Sequence, residues 1–262
     1  MKAKVFTLFS SSKGNCTYIK NGRDEFLIDA GVSARAIETA LSRLGTTLGN
    51  IKAILITHEH SDHIKGLNTV SKHFGIPIYA PPECCEYISD VMPDTVRHLV
   101  PNAPKKIISF GETAFYPIAT PHDARASVGF RINTGDEKIG YFTDIGCLTE
   151  GILRGLSGCR RVVIESNHDI EMLKNGSYAF CLKKRILGNR GHLSNSECAR
   201  LLPYLAQYGT ESFMLAHLSQ ENNTPELAYS ESERSLAKKG YELSKDAIRL
   251  KVAPVCSIAE LK

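Results

Sequence analysis

Three histidines and an aspartate, His58, His60, Asp62 and His63, fall within one six-residue segment that directly follows the β-branched run Ile51 to Ile56. Imidazole nitrogens and carboxylate oxygens are ligands for zinc, manganese or iron. An extended segment sends alternate side chains the same way, so His58 and His60 can converge on one ion. Asp62 and His63, past the turn, can face a second ion beside it. The bland alternative is a hydrogen-bonded histidine cluster at a helix start. The density of ligand types in so short a segment argues against it.

Such a cluster needs a rigid frame, and the sequence supplies the elements for one. Val5 to Leu8, Cys16 to Lys20 and Glu25 to Asp29 read as strands separated by Gly/Ser/Asn turns. Ser33 is placed to N-cap a helix whose Ile37, Leu41 and Leu44 recur at helical spacing, with Gly45 as the stop. Ile51 to Ile56 reads as a strand buried on both faces that delivers the histidines. Further strands are expected at Thr113 to Ala119, Ser127 to Ile132, Lys138 to Phe142, Val162 to Ile164 and Phe213 to Leu215, with helices from about Ser196 to Tyr208 and Pro225 to Lys239. Strands alternating with helices, but with hairpins among them, predict an α/β (α+β) architecture: an αββα sandwich of two mixed sheets with helices outside.

The chain of 262 residues is long for one domain, yet layered sheet folds reach that length as a unit, so a single domain over 1–262 is expected. A composition of 42% hydrophobic and 23% charged residues excludes domain-scale disorder. There is no secretion signal and no apolar run long enough to span a membrane, which points to the cytoplasm. The 8 cysteines lack the paired spacing of a thiolate metal site and are expected as reduced thiols. A net charge of +4 permits an anionic partner without requiring one.

The His-x-His-x-Asp-His pattern resembles the signature of the metallo-β-lactamase superfamily, and the likeness can be followed along nearly the whole chain. It implies further metal ligands at strand ends: His122 in Thr120-Pro121-His122-Asp123, a bridging Asp144 in Tyr141-Phe142-Thr143-Asp144, and His217 in Leu215-Ala216-His217-Leu218. Asp29 resembles the structural aspartate that supports the ligands from behind. Two divalent ions held this way lower the pKa of a bridging water to about 7 and stabilise charge on a phosphoryl or carbonyl oxygen, so hydrolysis by a metal-bridging hydroxide is implied.

Three features point to phosphodiesters. In Gly191-His192-Leu193-Ser194-Asn195, Ser194 and Glu197 form a capping box that places His192 beside a helix N-terminus, a natural phosphate site. The segment resembles the histidine loop of the phosphodiesterase and nuclease branches, where the extra histidine protonates the leaving group. Glu165, in Glu165-Ser166-Asn167-His168-Asp169, resembles the acid that orients it. The expected catalytic set is thus His192, Glu165 and Asp62. Lastly, Lys183, Lys184, Arg185 and Arg190 precede His192 and Lys13 lies in an N-terminal turn, where they could neutralise phosphates. His168, Ser194, Asn195, Lys13 and Asn15 are the expected substrate contacts.

Together with Ser12-Lys13-Gly14-Asn15-Cys16 and His217-Leu218-Ser219-Gln220-Glu221-Asn222-Asn223, these segments resemble the YycJ family, also called VicX or WalJ. The resemblance implies a bacterial cytoplasmic exonuclease, single-strand-preferring or 5′-to-3′, acting on nucleic acid. Ser10-Ser11-Ser12 departs from the glycine usual between serines there. The runner-up is a small-molecule cyclic phosphodiesterase of PhnP type, with the same ligands. A thioesterase would not need the His192 loop, and a non-catalytic regulatory module would not keep every ligand.

Overall fold

The computed structural model describes residues 2–243 and 248–262. Strands β1 (Lys4–Phe9), β2 (Cys16–Asn21) and β3 (Asp24–Ile28) form a meander and lead into α1 (Ala34–Arg43), where Ser33 Oγ accepts from the Ala36 N–H as the N-cap. The chain continues through β4 (Ile51–Leu55), α2 (Ser61–Ile64), α3 (Leu67–Phe74), β5 (Ile78–Ala80), α4 (Pro82–Val91) and β6 (Leu99–Pro101). The second half runs β7 (Ile108–Phe110), β8 (Thr113–Ala119), β9 (Val128–Asn133), β10 (Lys138–Phe142), α5 (Glu150–Leu156) and β11 (Arg161–Glu165). It closes with α6 (Ile170–Asn175), α7 (Phe180–Ile186), α8 (Asn195–Gln207), β12 (Ser212–Ala216), α9 (Pro225–Ala237), β13 (Arg249–Val252) and β14 (Ala259–Glu260).

The strands build two 7-stranded sheets, ordered β14-β1-β2-β3-β4-β5-β6 and β13-β12-β11-β10-β9-β8-β7. Each is mixed: β3 to β6 and β10 to β13 run parallel, while the hairpins β1–β2–β3 and β7–β8–β9–β10 are antiparallel. Between the sheets, Val5, Ile19, Phe26, Ile28 and Leu55 meet Phe115, Phe130, Tyr141, Val163 and Met214 in one apolar layer. Phe26 and Phe115 pack edge to face with ring centroids 5.1 Å apart. Burying each such ring contributes about 1.5–3 kcal/mol. A second apolar layer lies under α1, α3 and α4, and a third under α5, α8 and α9. The αββα sandwich expected from the sequence is the architecture observed.

The expectation that β4 is buried on both faces is corrected at one residue. Lys52 is exposed and pairs with Asp24, because the outer face of β4 reaches solvent there. The 8 cysteines are unpaired. No helix among the described residues is long and apolar enough to cross a membrane.

Because β3, β4, β8, β10, β11 and β12 run towards the same end of the sandwich, the loops after them share one rim. Sites of parallel sheets form in the crevice beyond the carboxyl ends of their strands. That rim holds every histidine and aspartate expected to ligate metal.

Candidate metal centre and active site

The rim is assembled by close backbone approach. At the end of β3, Asp29 adopts a left-handed backbone with φ 61°, and its carboxylate accepts from the Thr57 N–H (2.8 Å), the Thr57 hydroxyl and His63 Nδ1 (2.8 Å). Gly31 donates to the Asn15 carbonyl and Asn15 N–H to the Asp62 carbonyl, each at 2.8 Å. A Cβ on Gly31 would lie 1.6 Å from the Asp62 carbonyl oxygen, so only glycine lets these loops meet. His60 is the N-cap residue of the short helix α2, which carries Asp62 and His63 and leaves the His63 ring 4.1 Å from that of His58.

Four of the imidazoles are each held by one nitrogen and present the other. His63 donates from Nδ1 to Asp29, His122 from Nδ1 to the Gly191 carbonyl (3.0 Å), and His217 from Nδ1 to Glu165 (2.9 Å), while His58 Nδ1 contacts the Thr57 hydroxyl (3.1 Å). These bonds set the tautomer and leave Nε2 as the lone-pair donor. His58, His60 and His122 bring donor atoms within 4.8 Å of one another, and so do Asp62, His63 and His217. Asp144 lies between the groups, 3.4 Å from His63 Nε2 and 3.7 Å from His122 Nε2. His58 Nε2, His217 Nε2 and Asp144 Oδ2 are buried without a hydrogen-bond partner among the described residues. A buried polar atom left so costs about 1–3 kcal/mol, which a cation at these positions would relieve. Nitrogen and carboxylate donors in this number fit a divalent metal ion.

Glu165, fully buried at the end of β11, is the hub of the rim. Its Oε1 accepts from His192 Nδ1 (2.8 Å) and His217 Nδ1 (2.9 Å); its Oε2 accepts from the backbone N–H of Ile145 (2.8 Å) and Leu193 (3.0 Å). The sequence reading gave it one partner, and the structure gives it both ring and backbone partners.

The electrostatics follow from four carboxylates, Asp29, Asp62, Asp144 and Glu165, gathered among buried rings. Burial pushes His58 well below its ordinary value, and the rings of His63, His122 and His60 add to the effect. At His63 burial is outweighed by Asp29, Asp144 and Asp62, which raise the ring well above its ordinary value; at His217 burial is outweighed by Asp144, Asp62 and Glu165, which raise it to about 10. His192 is raised as well, burial being outweighed by Glu165 and Asp144. Burial would raise the Glu165 carboxyl, but His192 and His217 overcome it and hold the group well below the usual range. The rim therefore demands positive charge, and metal ions would take the place of protons on its ligands.

The β-lactamase superfamily domain model matches residues 24–218. Exodeoxyribonuclease YycJ of Bacillus anthracis is 32% identical over 243 residues, 89% of each chain. Exodeoxyribonuclease WalJ of Streptococcus pneumoniae is 34% identical over 232 residues, 86% of this chain and 85% of the other. The chain belongs to the YycJ/WalJ family of the β-lactamase superfamily. At that level it is a metal-dependent hydrolase. The metallo-β-lactamase fold protein YhfI of Bacillus subtilis, 16% identical, superposes with a TM-score of 0.71 over 98% of this chain and 99% of its own, a likeness of fold.

Of the other residues expected at the substrate in this YycJ/WalJ member, Lys13 is exposed and Asn15, His168, Ser194 and Asn195 are buried. Ser194 is buried and engaged in the capping box with Glu197, and Asn195 is buried and bonded to Ser166 and Asn223. Asn15 is also buried, its amide donating to the Ser11 carbonyl (2.9 Å) and to Asp62 Oδ2 (3.2 Å), so it supports a ligand loop. Ser10 Oγ accepts from the His217 N–H at 2.8 Å, turning the serine-rich loop inward and leaving Lys13 exposed. His168 is buried near Glu165 with both ring nitrogens lacking a hydrogen-bond partner among the described residues, and burial lowers its pKa to about 4. In the basic run, Lys183 donates to the Lys174 carbonyl, Arg185 pairs with Asp123 and Arg190 donates to the His122 carbonyl (2.8 Å).

Two supporting residues escaped the sequence reading. Glu59 Oε1 accepts from the Arg125 N–H (2.7 Å), tying the loop beyond His122 to the histidine segment, and Asn167 Nδ2 donates to the His217 carbonyl (2.9 Å). Their only signal was adjacency, Glu59 between two ligands and Asn167 two residues after Glu165.

Proposed function

We propose that this chain is a DNA exonuclease, single-strand-preferring or working from strand ends in the 5′-to-3′ direction, that hydrolyses phosphodiester bonds with two divalent metal ions. The observation that carries the reading is His192, whose Nδ1 lies 2.8 Å from the buried Glu165 carboxylate, which raises the ring's pKa, and 3.7 Å from Asp144 at the proposed metal centre. The names and near full-length match of YycJ and WalJ support DNA as the substrate.

His58, His60 and His122 would hold one ion, Asp62, His63 and His217 the other, with Asp144 touching both. Zinc, manganese or iron bound there would supply an activated water and offset the charge gathering on phosphoryl oxygens. Because His192 Nδ1 donates to Glu165, its Nε2, on the opposite edge of the ring, is left to donate to the leaving oxygen. Glu165 favours the charged ring before transfer and fixes its aim. The side chains of His192 and Asp62 remain 21% and 20% exposed, so the rim is open to a phosphate on that side.

His192→Ala should keep its metals and lose about 10²- to 10⁴-fold in rate on end-labelled single-stranded DNA, the range for a general acid. The loss should be smaller on bis-p-nitrophenyl phosphate, whose leaving group needs no proton. Equal losses on both substrates would make His192 structural, and a wild type inert towards every oligonucleotide would remove the nuclease reading.

A further inference from the structure

Helix α7, which adjoins the rim, contains no buried residue, and it begins with Phe180, 82% exposed and the most exposed large apolar side chain among the described residues. Helical spacing puts Phe180, Lys184 and Leu187 on one outer face at i, i+4 and i+7, while Leu182 and Ile186 are half-buried on the other. The fold gains little packing from Phe180, which leaves the face of its ring free to meet a ligand.

The C-terminal end of the helix is clamped to the active-site rim. His192 N–H donates to the Ile186 carbonyl (3.1 Å), Arg190 donates to the His122 carbonyl, and Arg185 pairs with Asp123, next to His122. A Cβ on Gly191 would lie 2.1 Å from the Ile186 carbonyl oxygen, so helix and catalytic loop meet in direct contact. Phe180 stands six residues up the helix from Ile186, about 9 Å along the axis. A strand whose scissile phosphate faces His192 would carry its neighbouring nucleotides along this face.

Charge selects the occupant. The helix bears Lys183, Lys184 and Arg185 and no carboxylate. Lys183 and Arg185 are engaged with the protein, and Lys184 has no hydrogen-bond or ion-pair partner among the described residues. A second copy of α7 would set like charges against each other. A single strand matches both features: each base has a flat π face for the ring, and each linkage a phosphate for the ammonium.

We infer that α7 is the binding track for the single strand adjoining the cleaved bond, with Phe180 stacking on a base and Lys184 meeting a phosphate. The inference rests on the nuclease reading and names where its substrate lies.

The chain contains no tryptophan, so Phe180→Trp installs a unique fluorophore. An eight-nucleotide phosphorothioate single strand should quench it, and an abasic strand of equal length should not. In cleavage assays Phe180→Ala should raise KM for single-stranded DNA about 5- to 150-fold, the effect of losing one stacked base, and lower the ratio of DNA to bis-p-nitrophenyl phosphate efficiency accordingly. Phe180→Tyr should restore KM and Phe180→Leu should not. Absence of quenching with bound oligonucleotide, rescue by leucine, or a dimer in sedimentation that Phe180→Ala dissociates would each overturn the assignment. If wild type cleaves DNA and Phe180→Ala cleaves it equally well, only the track is lost; if wild type cleaves none, the nuclease reading falls with it.

Discussion

Strand β11 begins and ends in buried charge, and its two ends are built to opposite specifications. At its start, Arg161 forms a bidentate pair with Glu137 and donates to the Leu261 carbonyl (2.8 Å) and the Ala3 carbonyl (2.6 Å), drawing the two chain termini onto the second sheet. At its end, Glu165 is satisfied, but the groups around it are not: His217 Nε2 and Asp144 Oδ2 have no partner among the described residues. Backbone strain is divided in the same way. Left-handed residues before β11 and β12 are Gly158 and Gly209, which adopt that geometry freely, whereas at the rim they are Asp29, Asp144 and His217. A non-glycine residue held there costs about 1–3 kcal/mol. One end of the sandwich is optimised for stability; the other gives up stability to hold donors in place for a cation.

The difference is broken most severely at Asp144. Asp144→Ala should empty the rim of metal and abolish hydrolysis, exceeding the roughly 10- to 100-fold loss expected when a supporting partner such as Asp29 is replaced. Metal content per chain, measured beside activity, decides it. Full occupancy in Asp144→Ala would show that the unpartnered oxygen is not a ligand.

At the opposite end the expected effect is on folding. Glu137→Ala leaves the Arg161 guanidinium buried and unpaired; the two side chains are only 4% and 8% exposed, so solvent screening is slight. The loss should be about 3–5 kcal/mol. It should appear as a lower urea midpoint at unchanged m, with activity per folded molecule retained. A parallel fall in activity per folded molecule would show that the two ends of β11 are coupled.

What could be read beforehand follows the same division. The candidate ligand positions were legible because only a few residue types bind metals and because β4, β8 and β10, which lead to most of them, are rich in β-branched or aromatic residues. The strands β5, β6, β7, β13 and β14 were not found, being 2–4 residues long and too short to show alternation. Helix α4 carried a signal that was passed over, proline in its first turn at Pro82. Helix α7 carried little, since only Leu182 and Ile186 mark its half-buried side and seven residues are too few to set a period. Within the site, sequence reveals that a side chain is polar but not which way it turns: Asn15 and Asn195 point into the protein, and the partner that Glu165 finds in His217 lies 52 positions away.

The smallest effect tests that last point at Ser194. The serine was expected to meet substrate because it opens helix α8 next to His192. In the structure its hydroxyl bonds to Glu197 Oε2 (2.7 Å) and accepts from the Glu197 N–H (3.3 Å), while its own N–H donates to Glu197 Oε2 (3.1 Å). The side chain is thus consumed by the cap and is 1% exposed. Losing a cap of this kind costs about 0.5–2 kcal/mol. Ser194→Ala should lower stability by that amount and leave kcat and KM for DNA unchanged, and Ser194→Asp, which can accept from the same N–H, should recover part of the loss. A rise in KM at unchanged stability would reverse the assignment and return Ser194 to the substrate, joining the open rim to the helix N-terminus as one phosphate-binding surface.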